Sequence, residues 1–293
     1  MKELLKSSYR DGVRILSYGL PNFVLFHGSL LLRRFGLTLK HVSAPASVQK
    51  AADFLFYNLR YMRPGIVRTR LRGERFFIQL NDPCQYDLVL GIHEPEVVEW
   101  IASSLKAGMT FLDVGTNVGY YTLLGARCVG DSGSVIAIEP DPEVLAILRQ
   151  NIEVNLLNNV KFVHGAASGT SGRARLGRAT STSYSTGLYC QNAANWIDVR
   201  RYSLDAIVSE LNIAAVDLVK LDVEGAELEV LEGMSKMLKE NRPKVIVELH
   251  GDHDEAKANP AVQKLTHAGY VVRHISPNHI LGEPPPKPNG TAS

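Results

Sequence analysis

From Thr110 onwards, short apolar runs alternate with amphipathic stripes. The runs predict strands over Thr110–Val114, Ser134–Glu139, Val160–His164, Val216–Asp222, Lys244–Leu249 and Tyr270–Ile275. Between them Pro142–Asn155 sets Val144, Leu145, Leu148 and Ile152 on one helical stripe. Ala226–Lys239 does the same with Val230, Leu231, Met234 and Leu238. Strand and helix repeated in this order predict an α/β fold. Its sheet is doubly wound and mostly parallel, with helices on both faces and right-handed crossovers. Ligands of such sheets bind beyond the carboxyl ends of the strands, where the strand order reverses.

Upstream the pattern differs. Ile66–Leu80 alternates on either side of Arg72-Gly73-Glu74 and predicts a β-hairpin turning at Gly73. Pro95 then opens a helix whose buried stripe is Val97, Ile101 and Leu105, and Lys106-Ala107-Gly108 ends it. Earlier still, Ile15–Leu32 is an uncharged run between Arg10 and Arg14 on one side and Arg33 and Arg34 on the other. Its length is at the lower edge for a bilayer span, and Gly19, Pro21 and Gly28 interrupt it. Two short helices are expected there, packed on the main domain or lying on a membrane surface. The string Ala44-Pro45-Ala46 lies too far downstream of the run for signal cleavage. The expected organisation is an N-terminal helical and β-hairpin extension over residues 1–84, a main domain over 85–280, and a Pro-rich tail over 281–293.

Composition narrows the class. An apolar share of 45% and a charged share of 21% exclude a disordered or collagen-like chain, and 3 scattered cysteines exclude a disulfide scaffold. The net charge of +2 hides an asymmetry. Residues 1–75 hold 14 Lys and Arg against 4 Asp and Glu, whereas the remainder holds 18 against 26. A basic front suits phosphates, an acidic glycan or anionic lipid, or is a solvated face.

The chemistry gathers at strand ends. The first strand runs Phe111-Leu112-Asp113-Val114-Gly115-Thr116-Asn117-Val118-Gly119 into a helix. Gly115 and Gly119 permit a sharp turn and close approach of a ligand to the backbone. Asn117 stands where the second glycine of a dinucleotide fingerprint would be, and Asp113 would repel a pyrophosphate. A ligand with a nucleoside, an amino group and a carboxylate, and no phosphate, fits better; S-adenosylmethionine is one. Glu139, ending the second strand, can accept both ribose hydroxyls. Small residues after the third strand, Gly165 and Ala166, leave room for an adenine or form a plain loop. The fourth strand carries Lys220-Leu221-Asp222-Val223-Glu224-Gly225-Ala226-Glu227. Lys220 and Asp222 share one side of it, and charges inside an apolar run are costly unless paired. Glu227 reads as a helix-start charge. Glu248 and His250 share a side of the fifth strand beside the Asp222 end, while His253 and Asp254 read as surface loop.

Asp113–Thr122, Glu139-Pro140, LVKLDVEGAELEVLEGM over Leu218–Met234, and the upstream Gly91-x-x-Glu94 together resemble the FkbM family of S-adenosylmethionine-dependent methyltransferases. The resemblance spans roughly residues 85–275. It implies a Rossmann-like sheet of the class I methyltransferase type, S-adenosylmethionine as cofactor, and O-methylation of a hydroxyl on a sugar, a glycolipid or a natural-product scaffold. It implies that Asp113, Gly115, Asn117, Gly119 and Glu139 hold the cofactor, with Glu94 nearby. Thr116 stands where the family often has Ala.

Methyl transfer to oxygen needs alignment, a water-poor cleft and removal of the hydroxyl proton. The candidate catalytic residues are His250, Glu224, Asp222 and Lys220, with the unperturbed pKa of imidazole, about 6.5, favouring His250. No metal ligand is assigned. The polar stretch Gly169–Arg201, with Arg173, Arg175, Arg178, Tyr184, Tyr189, Asn192, Asn195 and Trp196, is the candidate acceptor-recognition segment. The expected partner is a small-molecule or glycan acceptor, with no nucleic acid and with a peripheral membrane contact through residues 1–40. The expected compartment is the cytoplasm, which makes the Asn289-Gly290-Thr291 sequon incidental. The rival readings are a nucleotide-cofactor enzyme of another class and a binding module without turnover.

Overall fold

The computed structural model describes residues 66–71, 73–79, 85, 88, 93–179, 186–187, 193–250 and 259–284. The uncharged run Ile15–Leu32, Tyr184, Tyr189, Asn192, His253, Asp254 and the tail beyond Pro284 lie outside them. The chain divides into two compact units at Pro95 and Glu96.

In the first unit β1 (Ile66–Leu71) pairs antiparallel with β2 (Glu74–Gln79), Leu71 opposite Glu74. Gly73 turns the hairpin at φ +90, a conformation that costs a residue without Cβ little.

The second unit opens with α1 (Pro95–Ser104), whose Val97, Val98 and Ile101 are buried. It continues β3 (Thr110–Val114), α2 (Tyr120–Val129), β4 (Ser134–Glu139), α3 (Pro142–Val154), β5 (Val160–His164), β6 (Ala166–Ala167), β7 (Gly172–Ala179), β8 (Thr186–Gly187) and β9 (Ala193–Tyr202). Then come α4 (Leu204–Glu210), β10 (Leu218–Leu221), α5 (Glu227–Glu232), α6 (Ser235–Glu240), β11 (Lys244–Glu248), α7 (Pro260–His267), β12 (Val271–Ser276) and β13 (His279–Glu283). Seven strands form the main sheet in the order β12-β13-β11-β10-β3-β4-β5. β11, β10, β3, β4 and β5 are mutually parallel; β13 pairs antiparallel with both β11 and β12. The order reverses between β3 and β10, which places the crevice at their carboxyl ends.

Period-two alternation decides what each face meets. Leu112, Val114, Ile136, Ile138, Val219, Leu221, Val245 and Val247 pack with Leu204, Val230, Leu231, Met237 and Leu265 in one core. The opposite face carries Phe111, Asp113 and Lys220. There Tyr121 and Thr122 of α2 meet Lys220 and Asp113, and Phe111 fills the space left by Gly125. Among the described residues, no helix is long and apolar enough to cross a membrane.

Three elements depart from the sequence expectation. The single helix over Ala226–Lys239 is two helices, broken at Gly233-Met234. Any side chain at Gly233 would run into the carbonyl of Ser168, and the Asp205 carboxylate accepts from Lys236 N and Met237 N at 2.9 Å, capping the second helix. The stretch read as a polar connection holds a four-stranded sheet of order β6-β9-β7-β8, with Leu176 and Val199 buried against Ala166. β13 runs to Glu283, so the fold extends past residue 280 into the segment expected to be tail.

Candidate active site

The loop after β3 is shaped by three left-handed residues: Gly115 at φ 77, Asn117 at φ 50 and Gly119 at φ 93. A Cβ on Gly115 would collide with the backbone carbonyl of Asp222, so the loop lies directly on the end of β10. One on Gly119 would strike Leu148 of α3. Asn117 holds its own turn, its Oδ1 accepting from Val118 N at 2.8 Å. The three sequence-predicted loop residues are therefore brought together where β3, β4 and β10 end.

Glu139 ends β4 beneath this loop, almost wholly buried. Its Oε2 accepts from Asn117 N at 3.0 Å and its Oε1 from Asp141 N at 2.9 Å. One carboxylate thus ties together the loops after β3 and β4. Burial pushes its pKa up to about 8, against the two amide hydrogen bonds. Each oxygen keeps a second acceptor site, which suits the vicinal hydroxyls of a ribose.

Asp113 stands next to last in β3, ahead of this loop. It is fully buried on the α2 face, with Oδ2 accepting from the Thr122 hydroxyl at 2.5 Å and Oδ1 without a hydrogen-bond donor. In register it lies beside Lys220 of β10. Burial raises its pKa to about 6, against the pull of the Lys220 charge and the Thr122 hydrogen bond. Lys220 is itself only 1% exposed. Its ammonium sits 4.7 Å from the Tyr121 ring centre and donates to Asp222 Oδ2 at 3.1 Å. Lys220 is therefore a buried tie between Asp113 and Asp222.

The ends of β10 and β11 hold the densest charge. Glu224 adopts φ 51 and keeps a partly exposed side chain. His250 Nδ1 lies 2.8 Å from Glu227 Oε1, and Glu227 is buried while also accepting from Gly225 N at 2.9 Å. His250 Nε2 faces Glu224 at 3.5 Å, Asp222 at 3.8 Å and Glu248 at 4.0 Å. Burial disfavours the imidazolium, but the hydrogen bond to Glu227 and the charges of Glu224 and Asp222 outweigh it and push the pKa up to about 9. The unperturbed value that favoured His250 as base is thus displaced well upward. Burial also raises Asp222, with Glu248 adding to it and Lys220 and His250 opposing. Asp222, Glu224 and His250 present one ligand atom each within 4.8 Å of one another.

Glu227 is the site residue that sequence reasoning missed. Its place in the first turn of α5 matched a helix-dipole charge, and only the fold brings His250 onto it. The side chain of Ala166 packs with Leu176 and Val199, and Tyr202 occupies the space beside Gly165. Glu94 belongs to the first unit, at φ 42 with its carboxylate 3.5 Å from His93 Nε2.

The residues fit a nucleoside cofactor without phosphate: an acid with free acceptor sites below a glycine turn, and carboxylates along the crevice. The comparisons agree. Residues 113–272 match the Methyltransferase FkbM domain. The hexuronic acid methyltransferase AglP of Haloferax volcanii is 25% identical over 181 residues, 59% of this chain and 72% of that protein. Methyltransferase 1 of Beauveria bassiana is 30% identical over 179 residues, 50% of this chain and 68% of its own. The FkbM methyltransferase structure from Methylobacillus flagellatus is 16% identical with a TM-score of 0.42; the match covers 68% of this chain and 54% of that one. With the family domain matched over more than half its length, this chain belongs to the FkbM family of methyltransferases, whose cofactor is S-adenosylmethionine.

Proposed function

We propose that the enzyme methylates a hydroxyl oxygen, and that the hydroxyl belongs to a negatively charged sugar. The observation that carries the first part is the His250–Glu227 pair. A buried carboxylate bonded to Nδ1 orients the imidazole and leaves Nε2 facing Glu224 and Asp222 at the strand ends, where it can take a proton. S-adenosylmethionine, when bound, supplies an electrophilic methyl on a positively charged sulfur. The protein's residues then divide the work. Glu139 holds the ribose hydroxyls, and Gly115, Asn117 and Gly119 let the backbone approach the ligand. Lys220 fixes Asp222, Glu224 orients the acceptor hydroxyl, and His250 takes its proton.

Two observations support the sugar. AglP acts, by its name, on a hexuronic acid. The outer face of the β7–β9 pair sets Arg173 opposite Arg200 and Arg175 opposite Asp198, three arginines against one acid, a net positive surface that favours an anion. On the same face Trp196 is 43% exposed, with the Arg175 guanidinium 5.4 Å from its ring centre. An aromatic plane flanked by arginines suits a uronate ring. This reading keeps Glu94 as a cofactor contact and residues 1–40 as a peripheral membrane contact, in the cytoplasm where the cofactor is made.

The test supplies labelled S-adenosylmethionine with uronic acids, neutral sugars and their lipid-linked forms. Mass spectrometry of glycans from cells with and without the gene runs alongside. A methyl ether on a uronate is the expected product; transfer to nitrogen or carbon with none to oxygen overturns the reading. The cofactor half has its own check. Glu139→Gln puts an amide NH2 against a backbone N–H and is expected to weaken cofactor binding about 10–150-fold, the range of a hydrogen bond to a charged group. Binding to the wild type near pH 7 should release protons, because ribose hydroxyls favour the ionised carboxylate. Calorimetry in two buffers of different ionisation enthalpy measures both.

A further inference from the structure

Arg178 lies near the end of β7, on the inner side with Ala174 and Leu176 by the alternation of that strand. Its guanidinium grips both oxygens of Asp141: Nε to Oδ2 at 2.7 Å and Nη2 to Oδ1 at 2.7 Å. Nη1 reaches Glu143 at 3.0 Å. The Asp141 side chain is only 1% exposed, so this is a desolvated, two-pronged contact of the strong kind, unlike an ion pair at a rim. Asp141 is also the N-cap of α3, and its backbone N–H is the donor to Glu139 Oε1. A continuous path of hydrogen bonds therefore runs from β7 through Arg178, Asp141 and Glu139 to Asn117. It joins the hairpin to both loops of the cofactor crevice.

This path is one of several anchors of the hairpin. The hairpin is already anchored by β6 pairing with β9 and by the cluster of Ala166, Leu176 and Val199. What the path adds is a connection between two binding surfaces.

We propose that Arg178 is a positioning residue that couples the β7–β9 hairpin to the cofactor loops, so that cofactor and acceptor each tighten the binding of the other. The proposal rests on the cofactor and acceptor placements given under the proposed function. Coupling of this kind is reciprocal by thermodynamic necessity. A ligand that fixes Glu139 fixes Asp141, and Asp141 fixes the angle at which Arg178 carries β7. Conversely, an acceptor seated on the hairpin holds Arg178 where Asp141 must receive it.

Hydrogen exchange with and without saturating S-adenosylhomocysteine tests this in the whole protein. In the wild type, the ligand should slow exchange in the loops after β3 and β4 and also in β7 and β9. In Arg178→Gln the loops should still respond while the hairpin does not. Arg178→Lys, which keeps the charge and loses the fork, should recover the hairpin response only in part. A residue that merely held the hairpin in place would give a different signature: faster hairpin exchange in the variant, with the ligand-dependent slowing intact. That result, or a wild-type hairpin that never responds to the ligand, overturns the proposal. If Arg178→Gln does not fold, Asp141→Asn keeps the α3 cap acceptor while removing the charge, and the same loss of hairpin response is expected. Calorimetry on the wild type separates the two claims: absence of S-adenosylhomocysteine binding overturns the cofactor placement and the coupling with it, whereas binding without a hairpin response overturns the coupling alone.

Discussion

Lys220→Met is expected to cost about 3–5 kcal/mol of stability, the usual range for removing one partner of a buried ion pair. At roughly 2–4 °C per kcal/mol for a unit of this size, the melting temperature falls by about 6–20 °C. Lys220 and Asp113 are both buried, and the ammonium is the nearest compensating charge for a carboxylate with one oxygen lacking a donor. Methionine fills the volume and leaves Asp113 and Asp222 facing each other. The pH dependence gives the stronger test. Asp113 titrates at about 6 in the folded protein against 3.8 in an unfolded chain, so the folded state holds that proton more tightly. Its contribution is fully present below 3.8 and is lost as pH rises through about 6. Without the lysine the folded pKa climbs further, and the loss continues to higher pH. The deficit of Lys220→Met should therefore be larger at pH 8 than at pH 5. Asp113→Asn in the same background should recover most of it. A variant as stable as wild type at pH 8 would mean that Lys220 neutralises nothing that matters.

The same lysine illustrates what the sequence makes legible. A Lys and an Asp two apart in the run Val216–Asp222 could only be there as a satisfied pair, and alternation put them on one side. The parallel strands, the glycine turn and Glu139 were readable for a similar reason: each is dictated by residues next to one another in the chain. What could not be read depends on contacts between distant segments. The break at Gly233 exists because Ser168 passes against it, and nothing in the stripe of Val230, Leu231, Met234 and Leu238 announces that. The β7–β9 pair escaped because its outer positions carry Arg173, Arg175, Trp196 and Arg200, so only a short inner row of Ala174, Leu176, Ile197 and Val199 signals a buried face. The depth of Asp113 is not written in the neighbouring residues either, since it is set by Thr122 of the following helix. Glu227 became visible only when β11 delivered His250 to it.

His250→Ala is expected to lower turnover about 10²–10⁴-fold, the contribution of a general base, with cofactor affinity nearly intact. The shape of the pH profile decides whether that role is the right one. The imidazole is faced by Glu227 and Glu224 from the α5 end and the loop before it, by Asp222 from β10 and by Glu248 from its own strand. Together these carboxylates, against the opposing effect of burial, hold its pKa at about 9. A base that must be neutral to act is then mostly protonated at pH 7. Because kcat/KM reports the free enzyme, it should rise about tenfold per pH unit from pH 6 and level off near the imidazole pKa. Glu227→Gln keeps the side-chain shape and removes the charge at Nδ1. The imidazole pKa then falls towards 6.5, and the plateau should begin at lower pH, at a reduced height because the ring is held less firmly. Glu224→Gln should shift the plateau in the same direction by a smaller amount, since Glu224 lies further from the ring than Glu227 does. If instead the base is Glu224, Glu224→Gln carries the large loss, and Glu227→Gln leaves the profile where it was. All three variants near full turnover mean that alignment of the acceptor carries the reaction, and the catalytic role of His250 is then excluded.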